Sequence, residues 1–240
     1  MNATLAPTRT PHVNRILNVV RLQPSNRETY IWVPLMVLGG AFVLSLMIFA
    51  LIPYDGVKAG GGAYAPFWYF AVVGAQALTK TFPFSQAMSV TRREFYFGTL
   101  LTAAGTSALL AIIYVIGGFI ETATQGWGVN GYFFTLDPQW ATNPAIGGVF
   151  YFVMAMLFFV VGFWGATIYK RFGGIVFTAI TIGIALVFVG GMWLVGRMDA
   201  WEAFFGWFFS IGAGGLTLMI AGLVVVLAAI AFPALRKAVP

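Results

Sequence analysis

Residues 79–98 read TKTFPFSQAMSVTRREFYFG and form a polar, charged segment in the middle of an otherwise apolar chain. The segment contains Pro83, three cations and one acid, Glu94, and it lies between two long apolar runs. A polar segment between apolar runs of this kind is typical of a loop that joins two membrane spans. The chain is therefore expected to enter a bilayer on both sides of this segment.

The composition of the whole chain also indicates a membrane protein. Its 240 residues are 60% hydrophobic and 8% charged, whereas a soluble globular chain carries about 25% charged residues. The apolar residues come in long continuous runs and not in strict alternation, which excludes a transmembrane β-barrel. We therefore predict an all-α polytopic membrane protein with no separate soluble domain.

Six apolar runs are predicted to span the membrane, and the second is short unless it continues to Phe82. They are residues 30–52, 67–78, 95–120, 147–169, 175–195 and 216–232. This six-span domain, residues 30–232, follows an N-terminal segment at 1–29 and precedes a tail at 233–240. Residues 201–211 allow two interpretations, because they form either the start of one long kinked helix or a short re-entrant helix before the sixth span.

The N-terminal segment has an amphipathic pattern before the first span. Ile16, Leu17 and Val20 fall at helical spacing, and Arg15 and Arg21 lie on the other side. The pattern predicts a helix that lies in the membrane interface with its arginines towards the lipid headgroups. A simple basic leader is the alternative.

The distribution of cations predicts the topology. If both termini and the loops at residues 79–94 and 170–173 share one side, that side holds 11 of the 13 Lys and Arg residues, and only Lys58 and Arg197 remain on the other. Cytoplasmic loops carry the excess of Lys and Arg, so six spans with both termini in the cytoplasm are predicted. The 11 cations are Arg9, Arg15, Arg21, Arg27, Lys80, Arg92, Arg93, Lys170, Arg171, Arg236 and Lys237.

The sequence carries few groups that could perform chemistry. It has no cysteine, its one histidine, His12, lies outside the spans, and it has no phosphate-binding G-x-x-x-x-G-K-(S/T) loop. No ionisable residue lies well inside a predicted span, which argues against an ion-coupled carrier. We therefore expect no enzyme activity, no metal or cofactor in this chain, and no nucleic acid partner, because the net charge of +6 reflects the cytoplasmic loops.

Two features near the outer ends of the predicted spans are candidates for an outer mouth or a substrate path. Glu121 ends the third span, and it is interpreted as a solvated interfacial carboxylate, the alternative being a carboxylate that lines the mouth or pairs with a cation. The aromatic residues Phe204, Phe205 and Trp207 precede the last span and belong to the same candidate site.

The polar segment contains a helix-start motif. Thr91 and Glu94 match the capping box S/T-x-x-E, which predicts a helix that begins at Arg92 and becomes the third span. Before it, residues 84–90 form a short amphipathic piece, and Pro83 is predicted to separate this piece from the second span. A short helix at the cytoplasmic surface with an apolar face and flanking arginines suits docking to a partner, and an ordinary interfacial loop is the alternative.

The stretch FPFSQAMSVTRREFYFGTLL at residues 82–101 resembles the coupling helix of small six-span permeases of bacterial ATP-binding cassette (ABC) exporters. The basic N-terminal helix is similar to the connecting helix of that family, and residues 121–128, ETATQGWG, and 171–173 also resemble family features. The resemblance covers most of the chain, and its specific part is residues 82–98.

The resemblance implies a permease that dimerises in the bacterial plasma membrane, with each copy docked on a separate cytoplasmic ATPase chain that binds ATP and Mg²⁺. Closure of that ATPase would push on residues 82–94 and tilt spans two and five. The family also favours a re-entrant helix at residues 201–211, although the short link here argues against an elaborate outer gate. The coupling residues implied are Phe82, Pro83, Phe84, Met88, Thr91, Arg92, Arg93 and Glu94.

Three functions are compatible with these observations. The first is an exporter permease that moves a hydrophobic or amphipathic compound outward, since the chain has no energy source of its own. The second is a non-transporting membrane subunit, such as a sensor or an assembly factor, and the third is a passive channel. The expected partners under the first are the ATPase, a second permease copy and membrane lipid.

Overall fold

The computed structural model describes residues 28–88, 90–135 and 143–236. The predicted interfacial helix of the N-terminal segment and the last four residues of the tail lie outside the described residues. Within those residues the chain is almost entirely helical, which confirms the helical class predicted from the sequence.

The helices and strands follow the chain in a simple order. The helices are α1 (Val33–Leu51), α2 (Ala65–Gln76), α3 (Phe82–Ala87), α4 (Arg92–Ala123), α5 (Pro144–Arg197) and α6 (Trp201–Arg236). A π-helical turn at Glu28–Trp32 leads into α1, a 3-10 turn at Gly61–Tyr64 leads into α2, and a second π-helical turn at Ala77–Thr81 joins α2 to α3. Two short strands, β1 (Lys58–Ala59) and β2 (Gly131–Tyr132), pair in parallel.

Four of the described helices are long and apolar enough to cross a membrane. They are Glu28–Leu51, Arg92–Ala123, Pro144–Arg197 and Gly214–Pro233. This finding confirms the membrane class.

Helix α5 folds back on itself at Gly173. The φ angle of Gly173 is +81°, which only glycine adopts readily. The ring of Phe177 lies 3.4 Å from the position that a Cβ atom of Gly165 would occupy, whereas residues this far apart on a straight helix are separated by about 18 Å. The helix therefore has a first arm at residues 144–172 and a second arm at 174–197, and both arms exceed the length of most soluble helices.

Helix α6 is also interrupted by a glycine. Gly212 has a φ angle of +67° and an extended ψ of 177°. It divides α6 into an aromatic arm at residues 201–211 and a C-terminal arm at 213–236. The interruption falls at the glycines where the sequence predicted a break before the last apolar run.

The connection between α2 and α3 differs from the prediction. Pro83 was expected to separate the short helix from the second span, but the backbone stays helical from Ala65 to Ala87. The π-helical turn explains the difference, because the Phe82 N–H donates to the Ala77 carbonyl five residues back. The proline then occupies the first turn of α3, where its missing N–H costs no hydrogen bond.

Two sets of contacts mark the two ends of the helices. At one end, the β1–β2 pair and a 3.0 Å hydrogen bond from Asn130 Nδ2 to the Asp55 carbonyl hold the loops after α1 and α4 together. At the other end, Arg92 at the start of α4 donates to the Leu235 carbonyl near the end of α6. We call these the loop end and the arginine end.

The closest helix contact is the crossing of α2 with the first arm of α5. A Cβ atom on Gly74 would lie 2.1 Å from the Phe159 carbonyl oxygen, and one on Gly162 would lie 1.8 Å from the Ala71 carbonyl oxygen. Each helix thus places a glycine against the backbone of the other. Small residues permit this approach in membranes, where helices associate by close packing and without a hydrophobic driving force.

Substitution of Gly162 by alanine is predicted to destabilise the protein. The new methyl group would overlap a carbonyl group of α2, and overpacking of this kind costs about 1–3 kcal/mol. Gly183→Ala on the second arm is the control, because nothing lies within 4 Å of its added Cβ atom. We expect a lower thermal unfolding midpoint in detergent for Gly162→Ala only, and equal midpoints for the two variants would contradict the crossing.

Candidate functional site

The predicted docking segment, residues 82–94, lies at the arginine end and contains the predicted capping box. The Thr91 N–H and hydroxyl donate to Glu94 Oε2 at 3.0 and 2.8 Å, and the Glu94 N–H donates to Thr91 Oγ1 at 3.3 Å. Helix α4 therefore begins at Arg92, as predicted. Glu94 is buried, so its carboxylate is part of the helix start and not of an exposed surface.

The apolar face of the short helix α3 points outward. Phe84 is 58% exposed and Met88 is 51% exposed. Ser85, on the polar side of the pattern, is buried and donates to the Phe82 carbonyl at 2.7 Å. The segment thus presents a small apolar surface, Phe84 and Met88, which we call the knob, while its polar side chains secure the turn beneath it.

The rest of the segment is anchored by internal contacts. Phe82 is buried against Phe95, with ring centroids 5.1 Å apart, and the Arg92 guanidinium lies 6.0 Å from the Phe82 ring. Gln86 Nε2 donates to the Val90 carbonyl at 3.0 Å and closes the turn between α3 and α4. The predicted coupling residues are therefore adjacent in space, but the side chains of Phe82 and Glu94 are structural.

The start of α4 also contacts the C-terminal arm of α6. The Tyr96 hydroxyl donates to the Ala228 carbonyl at 2.5 Å, and Arg92 Nη1 donates to the Leu235 carbonyl at 3.2 Å. The Tyr96 ring also lies 5.3 Å from the ring of Phe232. Tyr96 was not among the sequence candidates, although a tyrosine on an apolar helix signals a buried hydroxyl that needs a partner.

At the loop end, Glu121 lies near the end of α4 and is fully buried, which corrects the interpretation of a solvated carboxylate. Its Oε2 accepts hydrogen bonds from Trp127 Nε1 and from the N–H groups of Phe133 and Phe134, at 3.1, 2.7 and 2.9 Å. Its Oε1 accepts from the N–H and the hydroxyl of Thr135 at 2.8 and 2.5 Å. We call this arrangement the carboxylate nest.

The backbone around the nest is shaped by glycines and left-handed residues. Gln125, Trp127 and Asn130 have positive φ angles, as do the glycines at 126 and 128. This tight turn reverses the chain so that the N–H groups of residues 133–135 point back at the end of α4. Backbone N–H groups that converge on one carboxylate occupy the acceptor positions of its oxygens, as in anion-binding backbone concavities.

An aromatic cluster supports the nest from within the helices. The rings of Tyr114 and Tyr151 lie 4.6 Å apart, and Phe134 packs edge-on to Tyr114 at 5.5 Å. The Tyr151 hydroxyl donates to the Phe134 carbonyl, and the Tyr114 hydroxyl donates to the Ala63 carbonyl at 2.5 Å. A Cβ atom on Gly117 would lie 2.7 Å from the Phe134 ring, so a glycine is required there. The nest and this cluster close the loop end.

The other residues of the predicted outer mouth lie elsewhere. Phe204, Phe205 and Trp207 are 40%, 51% and 49% exposed on the aromatic arm of α6. The side-chain contacts that surround them come from the same arm, with Phe204 and Phe208 5.0 Å apart and Trp201 stacked on Phe205 at 5.8 Å. The donors to Glu121 all come from residues 127–135. The structure therefore does not join these two parts in one site.

Metal chemistry has no obvious location in the described part of the chain. Its residues contain no group of three or more His, Cys, Asp and Glu side chains that could hold a metal ion. Comparison with protein-family models, with curated proteins and with solved structures gives no match.

Loss of the Glu121 carboxylate is predicted to destabilise the loop end. Glu121→Ala leaves several buried N–H groups without acceptors, and each such group costs about 1–3 kcal/mol. We expect a lower unfolding midpoint and faster proteolysis between residues 124 and 135. Glu202→Ala is the matched control, because that acid is exposed on the aromatic arm. Equal midpoints and cleavage rates for both variants would show that the nest does not hold the loop.

Removal of the Tyr96 hydroxyl is predicted to weaken the contact between α4 and α6. Tyr96→Phe leaves the Ala228 carbonyl without this donor, and the loss of one hydrogen bond costs about 1 kcal/mol. Tyr54→Phe is the control, since Tyr54 is 61% exposed at the loop end. The measurement is the unfolding midpoint in detergent, and a Tyr96→Phe protein as stable as Tyr54→Phe would argue against this link.

Proposed function

We propose that the chain is the permease subunit of an ATP-driven exporter of the ABC type, in the plasma membrane of a bacterium, with both termini cytoplasmic. In this proposal the docking segment is a coupling helix that binds a separate cytoplasmic ATPase chain, where ATP and Mg²⁺ are held. Two copies of the chain form the path for a hydrophobic or amphipathic compound that moves outward.

The exposed knob is the observation that carries the proposal. A membrane protein normally buries large apolar side chains or exposes them to lipid along its spans, whereas Phe84 and Met88 are exposed where the helical run of residues 65–87 ends, at the arginine end. Phe and Met are enriched at protein interfaces. The capping box and the Phe82–Phe95 contact hold the knob firmly, so that a force applied there reaches the spans.

Charge around the knob favours an acidic partner surface. Lys80, Arg93, Lys170 and Arg171 are exposed. All four belong to the arginine end, because Tyr96 contacts Phe163 there and the first arm of α5 continues from that point to Lys170. Complementary charge at the rim of an interface speeds association and fixes orientation.

The contacts of the docking segment suggest which helix receives the force. The sequence resemblance implied motion of spans two and five, whereas the hydrogen bonds of Arg92 and Tyr96 run to the C-terminal arm of α6. In the proposal, movement of the start of α4 therefore pulls on the last span.

The course of the chain supports six passes. Residues 65–87 run from the loop end to the arginine end, α4 returns, and the two arms of α5 add a further pair of passes. The aromatic arm of α6 then lies before the final pass at the loop end, which supports a short re-entrant helix. Residues 174–194 are exposed along most of their length and offer a face for a second copy in the membrane.

The test is binding of the purified chain to an ATPase encoded by a neighbouring gene. We expect the wild-type chain to co-purify with that ATPase, and the double variant Phe84→Ala, Met88→Ala to bind at least about tenfold more weakly, since a hot-spot side chain contributes about 2 kcal/mol or more. The matched control, Met198→Ala with Phe205→Ala, removes an equally exposed pair at the loop end.

Three outcomes would reject the proposal. Equal binding by the knob variant and its control would remove the docking role. Specific binding of the knob to a protein that is not an ATPase would instead favour a non-transporting membrane subunit, and ion conductance by the chain alone, without ATP, would favour a channel.

A further inference from the structure

A groove of about 450 Å³ lies between α4 and the first arm of α5, towards the loop end. Its walls are two facing rows of residues at helical spacing, one on each helix. On α4 these are Ala108, Ala111, Ile112, Val115 and Ile116, and on α5 they are Pro144, Ala145, Gly148, Val149 and Phe152. Every lining side chain is hydrocarbon, so the groove offers no side-chain hydrogen-bonding group to a ligand.

The shape of the groove follows from the sizes of these side chains. The two helices touch at its floor, where Val115 Cγ2 lies 3.0 Å from the position of a Cβ atom on Gly148. Alanines line the wall on both sides of that contact, and Ile112, Ile116 and Val149, each more than half exposed, form the rim. Small residues between large rim residues make an open apolar groove that faces sideways, away from the helices.

The groove lies along two helices that are long and apolar enough to cross a membrane, Arg92–Ala123 and Pro144–Arg197. Ile116 lies seven residues before the end of α4, and Pro144 is the first residue of α5. At a rise of about 1.5 Å per residue, the groove begins roughly 10 Å below the end of α4 and extends towards the bilayer centre. An opening at this depth faces lipid tails and not water.

We propose that this groove binds one acyl chain of a phospholipid from the leaflet at the loop end. The walls are apolar throughout, and the volume lies within the range of about 300–1,000 Å³ that is usual for small-molecule pockets. A chain in the groove contacts protein on both sides, and these dispersion contacts would be absent if the space were empty. The proposal concerns a site apart from the docking segment, and it holds whether or not the chain is a permease.

A helix from a second copy is the competing occupant, and the size of the groove argues against it. The groove is lined by 10 residues, whereas a stable protein interface involves about 20–30 residues on each side. A single hydrocarbon chain needs no larger contact surface than this groove provides.

The experiment uses the full-length chain in phosphatidylcholine vesicles that contain a trace of phosphatidylcholine with a photoreactive diazirine in its acyl chain. After irradiation, labelled residues are mapped by peptide mass spectrometry. We expect labelling of residues 108–116 and 144–152 to be several-fold higher per exposed residue than labelling of residues 43–48. That stretch of α1 is the internal reference, since Val43, Leu44, Met47 and Ile48 are each more than half exposed and lie at a similar distance from the loop end.

A variant in which larger side chains fill the groove tests the same proposal. Ala108→Leu with Ala145→Leu places two larger side chains in the groove, and neither alanine is buried, so the fold is not forced apart. We expect this variant to lose the excess labelling, while Ala185→Leu on the exposed second arm retains it. If the double variant fails to fold, the labelling map of the wild-type chain still decides the question.

Two results would overturn the proposal. If the groove is labelled no more densely per exposed residue than residues 43–48, it binds no acyl chain beyond ordinary bilayer lipid. Protection of the groove from label, together with a cross-link between two chains through Ala145→Cys, would show that a second copy occupies it. The chain has no native cysteine, so such a cross-link can arise only from the introduced residue.

Discussion

The crossing of α2 with the first arm of α5 at Gly74 and Gly162 is the constraint on which the rest of the structure depends. Each glycine faces a backbone carbonyl of the other helix at a distance that excludes any side chain. In lipid, where apolar surfaces gain nothing from meeting each other, this closeness supplies the packing that holds two spans together. It also fixes where Phe67 and Tyr151 meet on one side of the crossing and where Phe163 meets Tyr96 on the other.

The membrane environment also explains how the buried polar groups of the structure are paired. Inside a membrane every backbone polar group needs a partner within the protein. The non-helical residues 131–135 meet this need by donating three backbone N–H groups to Glu121, a side chain of the neighbouring helix. The burial of the Glu121 carboxylate is thus explained by the irregular backbone beside it, which supplies its hydrogen-bond donors. Its position near the end of α4 makes that helix the support for the whole loop end.

The sequence predicted those features that depend on local pattern. The capping box at Thr91 and Glu94 is confirmed because both partners lie within one turn. The role of Glu121 was missed, since its donors lie up to 14 residues further along the chain and become adjacent only through a turn with left-handed residues. The continuous backbone across Pro83 was missed for a similar reason, because a π-helical turn upstream removes the conflict that a proline creates in a regular helix. The six spans, the docking role and the re-entrant arm stay predictions.

Helix α4 is one continuous helix that joins the two ends of the molecule. Its 32 residues give a length of about 48 Å, with the Arg92 and Tyr96 contacts to α6 at one end and Glu121 at the other. No kink interrupts the helix between Arg92 and Ala123, so a displacement at the docking segment is passed along its backbone hydrogen bonds. Such a displacement must either carry the carboxylate nest and its loop with the helix or break the hydrogen bonds that join them. The loop end and the arginine end are therefore joined by one helix, and under the proposed function a partner that moves the knob would act on both.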